Sequence, residues 1–152
     1  MKRLLFLISL AVLLYGIFEG ALGVAQMFGF IDSNHPVFPV TGSFYNPGPF
    51  GCCIGCIVPV AVFMYLAPYP HWVKALSTLF VVLAAMLLPG VLSLTGWLSA
   101  GVGSAVVVGA MYAPVIRKVR RRTIAVGCIA AIIVGAVAVR AADGRLLMWK
   151  IA

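Results

Sequence analysis

The sequence predicts an all-α, polytopic transmembrane helical bundle of about five spans, and three observations carry that expectation. Of the 152 residues, 64% are apolar and only 9% charged, whereas a soluble domain is about half apolar and a quarter charged. So few ionic groups cannot cover a water-facing surface, which excludes a soluble globular enzyme, and the aliphatic content excludes a disordered chain. The apolar residues gather into runs near the ~20 residues that a helix needs to cross a hydrocarbon core. The basic residues fall between those runs, so the net charge of +8 reads as membrane topology and not as affinity for nucleic acid.

Each run is delimited by its own residues. The first expected span covers about residues 4–28. The second, 50–66, is stopped by Pro68 and Pro70, and Pro59 inside it removes a backbone donor and predicts a kink. The third, 73–88, is closed by Pro89 and Gly90, and the fourth covers 97–116. The fifth, 124–142, reaches both surfaces if Arg122 and Arg140 extend their side chains outward. The chain thus reads as a single transmembrane domain, 1–152. Its first 23 residues also fit a secretory signal, with a basic start and small residues from Ala21 to Gly23, but the apolar stretch runs on to Phe30 and suits an uncleaved anchor better.

Short loops rich in Lys and Arg stay in the cytoplasm. Lys2, Arg3, Lys74 and the cluster Arg117, Lys118, Arg120, Arg121 and Arg122 then share the cytoplasmic side. The loop 29–49, the turn 93–96 and the C-terminal tail, with Arg140, Arg145 and Lys150, fall on the exported side. The basic cluster also resembles a phosphate-binding patch; its placement favours a topogenic role, with anionic lipid contact as a by-product.

Few residues carry chemistry. Glu19 is the acid inside an expected span, where an ionisable group is costly enough to call for a role. Tyr15, Glu19 and Gln26 lie four and seven residues apart, on one helix face that should point inward. Two readings stand: a proton or substrate site, or a protonated or hydrogen-bonded carboxyl that holds neighbouring helices. Gly16 with Gly20, Gly51 with Gly55, and Ala100 with Ser104 are small pairs that let helices approach in lipid. Cys52, Cys53, Cys56 and Cys128 all sit in apolar runs and read as packing residues. His35 and His71 have no ligand cluster around them in the sequence, so no metal is expected.

The loop 29–49 is the most distinctive region. Pro39, Pro47 and Pro49 with Gly42 and Gly48 fix turns, while Phe44 and Tyr45 offer rings that can stack on a sugar or rest in the membrane interface. Asn46 before Pro47 fits either a turn or a ligand contact.

The segment Val40-Thr41-Gly42-Ser43-Phe44-Tyr45-Asn46-Pro47-Gly48-Pro49 resembles the exported-loop motif of the O-antigen ligase family of membrane glycosyltransferases. The tail Ala142-Asp143-Gly144-Arg145-Leu146-Leu147-Met148-Trp149-Lys150 resembles a second stretch of that family. Between them, Ser93-Leu94-Thr95-Gly96-Trp97 is similar to the family's Ser-Arg-Thr-x-Trp turn, with Leu94 where the family has arginine. The resemblance covers essentially the whole chain and implies transfer of a glycan from a polyprenyl diphosphate carrier to an acceptor on the exported face of the bacterial inner membrane. It implies no nucleotide sugar, cofactor or metal.

On this resemblance Phe44, Tyr45 and Asn46 are candidate substrate contacts, and Arg145 could pair bidentately with diphosphate oxygens. Family members are longer and carry a functional histidine in a later exported loop, so the chain is expected to represent an N-terminal portion, inactive alone, whose missing half resides on another chain or a longer frame. The rival expectations are a non-catalytic membrane module and a small proton-coupled exporter built on Glu19.

Overall fold

The computed structural model describes residues 2–91 and 93–116. Four helices follow in order: α1 (Lys2–Met27), α2 (Pro47–Leu66), α3 (His71–Val91) and α4 (Leu94–Ile116). No strand occurs among the described residues. All four helices are long and apolar enough to cross a membrane, as a helix of 20 residues rises about 30 Å. Among the described residues the chain is all-helical, with four candidate membrane spans by length and composition, as a membrane protein would have. The fifth expected span, 124–142, lies outside those residues.

Each helix begins two or three residues before its apolar run and α3 also ends beyond it, because hydrogen-bonded caps, and not hydropathy alone, set several of the limits. Gly29, at φ +74°, ends α1: its N–H reaches the Gln26 carbonyl at 3.0 Å while Phe30 N–H reaches that of Ala25 at 2.9 Å, a paired closure that needs a left-handed residue. Asn46 starts α2 three residues before the expected span, its side chain accepting from Gly48 N–H at 2.9 Å, with Pro47 in the first turn where no donor is missed. Ser93 starts α4 in the same manner, its Oγ accepting from Gly96 N–H at 3.2 Å. α3 runs through Pro89 to Val91 instead of stopping before it. Pro89 lies in the last turn, where a helix has few bonds left to lose.

α2 is the hub. It packs on α4 and α3, and α1 packs on α3 and α2. Small residues set these contacts, as expected where lipid supplies no hydrophobic drive between helices. α2 and α4 touch backbone to backbone: a methyl group on Gly55 would overlap the Gly96 carbonyl, and one on Gly103 would overlap the Pro59 ring. α1 offers Gly16, Gly20 and Gly23 to Phe80, Ile57, Leu83, Phe50 and Leu87. The interior is filled by Leu13, Phe50, Ile54, Met64, Phe80 and Leu87.

The bundle has two unlike ends. The C-termini of α1 and α3, the N-termini of α2 and α4 and the long α1–α2 loop meet at one of them, the loop end. The other end holds the N-terminus of α1 and the turn 67–70, where Phe6 packs 4.9 Å from Tyr69 and 6.5 Å from Trp72.

Candidate functional site

The loop end gathers most of the residues that the sequence singles out. Glu19 is 1% exposed and Gln26 5% exposed, and both reach from α1 to one short stretch of loop. Gln26 Oε1 accepts from Thr41 N–H at 2.9 Å and Gly42 N–H at 2.8 Å, and its Nε2 donates to the Gly42 carbonyl at 2.9 Å. One α-turn pair deeper, Glu19 Oε2 accepts from Ser43 N–H at 3.0 Å and Oε1 accepts from the Ser43 hydroxyl. Three successive backbone donors thus end on two side chains of α1.

The physical reason lies in depth. Glu19 sits seven residues before Gln26, about 10 Å further along the helix axis, so the loop dips into the bundle at Val40 to Ser43. Val40 and Thr41 are buried there. Non-helical backbone at such depth is stable only when protein groups replace water as its partners, and Glu19 and Gln26 are those partners. Gly42 is the pivot: its φ is +59°, and a methyl group on it would overlap the Phe50 ring and stand 2.7 Å from Glu19 Oε2. Glycine meets both the steric and the conformational demand.

Tyr15 joins them from the outer side, its side chain interacting with those of Glu19 and Ser43. It is 46% exposed, because the buried stripe of α1 is the narrow row of Leu13, Gly16, Gly20 and Gly23. Glu19 and Gln26 lie at the edge of that row and are covered by the loop.

The outer part of the loop organises itself around Ser33, Asn34 and His35. Ser33 Oγ donates to the Phe38 carbonyl, accepts from His35 N–H at 3.0 Å and pairs with the Thr41 hydroxyl at 3.2 Å. Asn34 Nδ2 donates to the Ser43 carbonyl at 3.2 Å. His35 Nδ1 accepts from Val37 N–H at 3.0 Å and Phe38 N–H at 3.2 Å, and its ring lies 4.7 Å from that of Phe38 and 5.0 Å from that of Tyr45. An imidazole whose Nδ1 accepts carries its proton on Nε2 when neutral. His35 in this setting can donate from Nε2 to an oxygen; it is not poised as a general base.

The three candidate substrate contacts follow one another along the rim. Phe44 is half-buried and packs against the core 6.3 Å from Phe50. Tyr45 is 65% exposed. Asn46 is exposed, and its Oδ1 is engaged in capping α2. Arg145 lies outside the described residues, as do Cys128 and the basic cluster 117–122. Cys52, Cys53 and Cys56 are free thiols on α2, and no cluster of three metal-ligating side chains occurs among the described residues.

The Ser93 turn stands beside this rim. Ser93 Oγ lies 3.4 Å from the Gly48 carbonyl and 3.1 Å from the Thr95 hydroxyl, and Gly51 packs directly on Ser93 and Val91. The segments 40–50 and 93–97, far apart in the chain, are thereby brought to one place. The sequence singles out Glu19 and Gln26 and, separately, the motif that holds Thr41 to Ser43, but not that the two meet. The available signal was a buried acid and amide seven residues apart on α1, opposite a loop holding a glycine between two hydroxyl residues. No protein-family model, curated protein or solved structure matches this chain.

Proposed function

We propose that the chain forms part of the membrane region of a polyprenyl-diphosphate glycan transferase of the O-antigen ligase type. It crosses the bacterial inner membrane five times, from a cytoplasmic N-terminus, with the α1–α2 loop on the exported face. The loop rim meets the carrier-linked glycan through Phe44, Tyr45 and Asn46, and Arg145 contacts the diphosphate. The observation that carries this reading is the meeting of segments 40–50 and 93–97 at Ser93 and Gly48: two stretches that share the family resemblance form one rim. Transfer from a diphosphate also needs a cationic cradle and a base. The loop end carries no lysine or arginine among the described residues, so this part alone binds and does not turn over.

Photo-cross-linking tests the proposal. With Tyr45 replaced by a photoreactive phenylalanine analogue, the chain in lipid nanodiscs is expected to label a polyprenyl diphosphate and to lose that label to unlabelled carrier. Equal labelling of polyprenyl diphosphate and of a neutral polyprenol would contradict it.

A second reading, a non-catalytic membrane module, is favoured by one observation: Glu19, Gln26 and Asn46 are all engaged in holding the loop. The same contacts weigh against a proton-coupled exporter, because both oxygens of Glu19 are taken by Ser43 and the side chain is shut away from water.

A further inference from the structure

Glu19 and Gln26 both hold the loop, but they are not equivalent. Gln26 ties down two backbone N–H groups with an uncharged amide, so holding backbone at this depth does not call for an ionisable group, which is the costlier choice within a span. What Glu19 has in addition is a side-chain partner. Its Oε1 accepts from the Ser43 hydroxyl while its Oε2 accepts from the Ser43 N–H at 3.0 Å, and the Tyr15 side chain meets those of both residues. Glu19 is 1% exposed, whereas Ser43 is exposed among the described residues. A buried carboxyl thus stands directly behind a surface hydroxyl.

The hydroxyl is also fixed in place. Ser43 is held through its N–H by Glu19 and through its carbonyl by Asn34 Nδ2 at 3.2 Å, so Oγ stays on the carboxyl. A serine hydroxyl hydrogen-bonded to an adjacent base is the arrangement that turns a weak nucleophile into a strong one. The surroundings limit what it would attack. A phosphoryl centre carries negative charge and is approached with the help of cations, and the loop end has no lysine or arginine among the described residues. A neutral carbonyl has no such need. Ser43 meets Glu19 about 10 Å inside the end of α1, and Leu14 and Phe18 on the same helix are exposed large apolar side chains, which suits a substrate that arrives through lipid.

We propose that Ser43 is a nucleophilic hydroxyl, with Glu19 as its proton acceptor, that takes the acyl group of a neutral, lipid-borne ester. Ser43 Oγ bonds to the carbonyl carbon and its proton passes to Glu19 Oε1; the ester C–O bond breaks, and the alcohol leaves with the proton that Glu19 returns to it. Tyr15 brings a second hydroxyl to the same place. The site uses none of Phe44, Asn46 and Arg145, so it stands or falls apart from the glycan-transfer reading.

An alkyl fluorophosphonate, which bonds to activated serines with loss of fluoride, tests the proposal on the wild-type chain in lipid nanodiscs, with adducts located by mass spectrometry. Ser43 is expected to label about 100-fold faster than Ser33, whose hydroxyl bonds to the Phe38 carbonyl and to Thr41 instead of a carboxyl. Labelling of Ser43 no faster than Ser33 would overturn the proposal. Glu19→Gln keeps an acceptor for the Ser43 N–H but cannot take the proton, and is expected to slow labelling about 100-fold with proteolytic nicking of the loop unchanged. Undiminished labelling would leave Glu19 as a holder of the loop and overturn the proposal; should that variant release the loop, the comparison of Ser43 with Ser33 in the wild-type chain decides alone. A nitrophenyl ester of a long-chain acid is expected to acylate Ser43, and nitrophenyl phosphate to leave it unmodified. Phosphorylation of Ser43, or no acylation, would overturn the assignment of an acyl group.

Discussion

At the loop end the backbone donors of Thr41, Gly42 and Ser43 terminate on side chains of α1, whereas at the opposite end the turn 67–70 closes with its own backbone. There Ala67 N–H bonds to Phe63, Tyr69 N–H to Ala67, and Val73 N–H to Pro70. Rings do the remaining work: Phe6, Phe63, Tyr69 and Trp72 cluster, and the Lys74 ammonium stands 5.9 Å from the Tyr65 centroid. The difference follows from loop length and depth. A four-residue turn stays at the surface, where water and the interface satisfy it, and aromatic side chains suit that zone. A long loop that dips among helices must bring its partners with it, and two polar residues in an apolar helix are those partners.

Mutations should therefore cost most where the loop dips. Gly42→Val should be the most damaging: a β-branched residue at positive φ, set against Phe50, is expected to cost about 3 kcal/mol or more. Denaturant titration in mixed micelles, followed by the fluorescence of Trp72 and Trp97, would show it. If the variant matched the parent, the pivot would have to lie elsewhere. Gln26→Leu comes next. It leaves the buried N–H groups of Thr41 and Gly42 without acceptors, and a loss of about 2–3 kcal/mol is expected, with faster proteolytic nicking of residues 31–46. Unchanged nicking would mean that the loop holds without α1.

Asn46→Ala removes only a cap and should cost about 1 kcal/mol, while Asn46→Asp should retain most of the stability. At the opposite end, Lys74→Gln is expected to change stability by less than about 0.5 kcal/mol, because its ring contact is close to the surface. A larger loss there than at Asn46 would reverse the order of the two ends.

Much of the fold was legible because hydropathy windows and helix length report the same constraint, the thickness of a hydrocarbon layer. The ends of the helices were less so. Gly29, Asn46 and Ser93 set them through hydrogen bonds that no apolar count contains, and Pro89 sits inside α3 because its position in the last turn spares it. Glu19 was legible as an anomaly, and a hydrogen-bonded carboxyl holding its neighbours was one of the two readings; that it holds a loop and not a helix was not legible, since Ser43 lies 24 residues away and helical periodicity says nothing of a loop folding back. Tyr15 was legible in part: shared periodicity placed it with Glu19, which its side chain does meet together with Ser43, but the loop covers Glu19 and Gln26 and leaves Tyr15 46% exposed.

The central claim is that the rim of Phe44, Tyr45 and Asn46 is a folded surface on the exported face. Labelling of Tyr45→Cys in an otherwise cysteine-free chain tests it most directly. In intact spheroplasts an impermeant maleimide should modify residue 45 fully from outside, and cytoplasmic reagent should add nothing. Modification that required access from the cytoplasm would contradict the account.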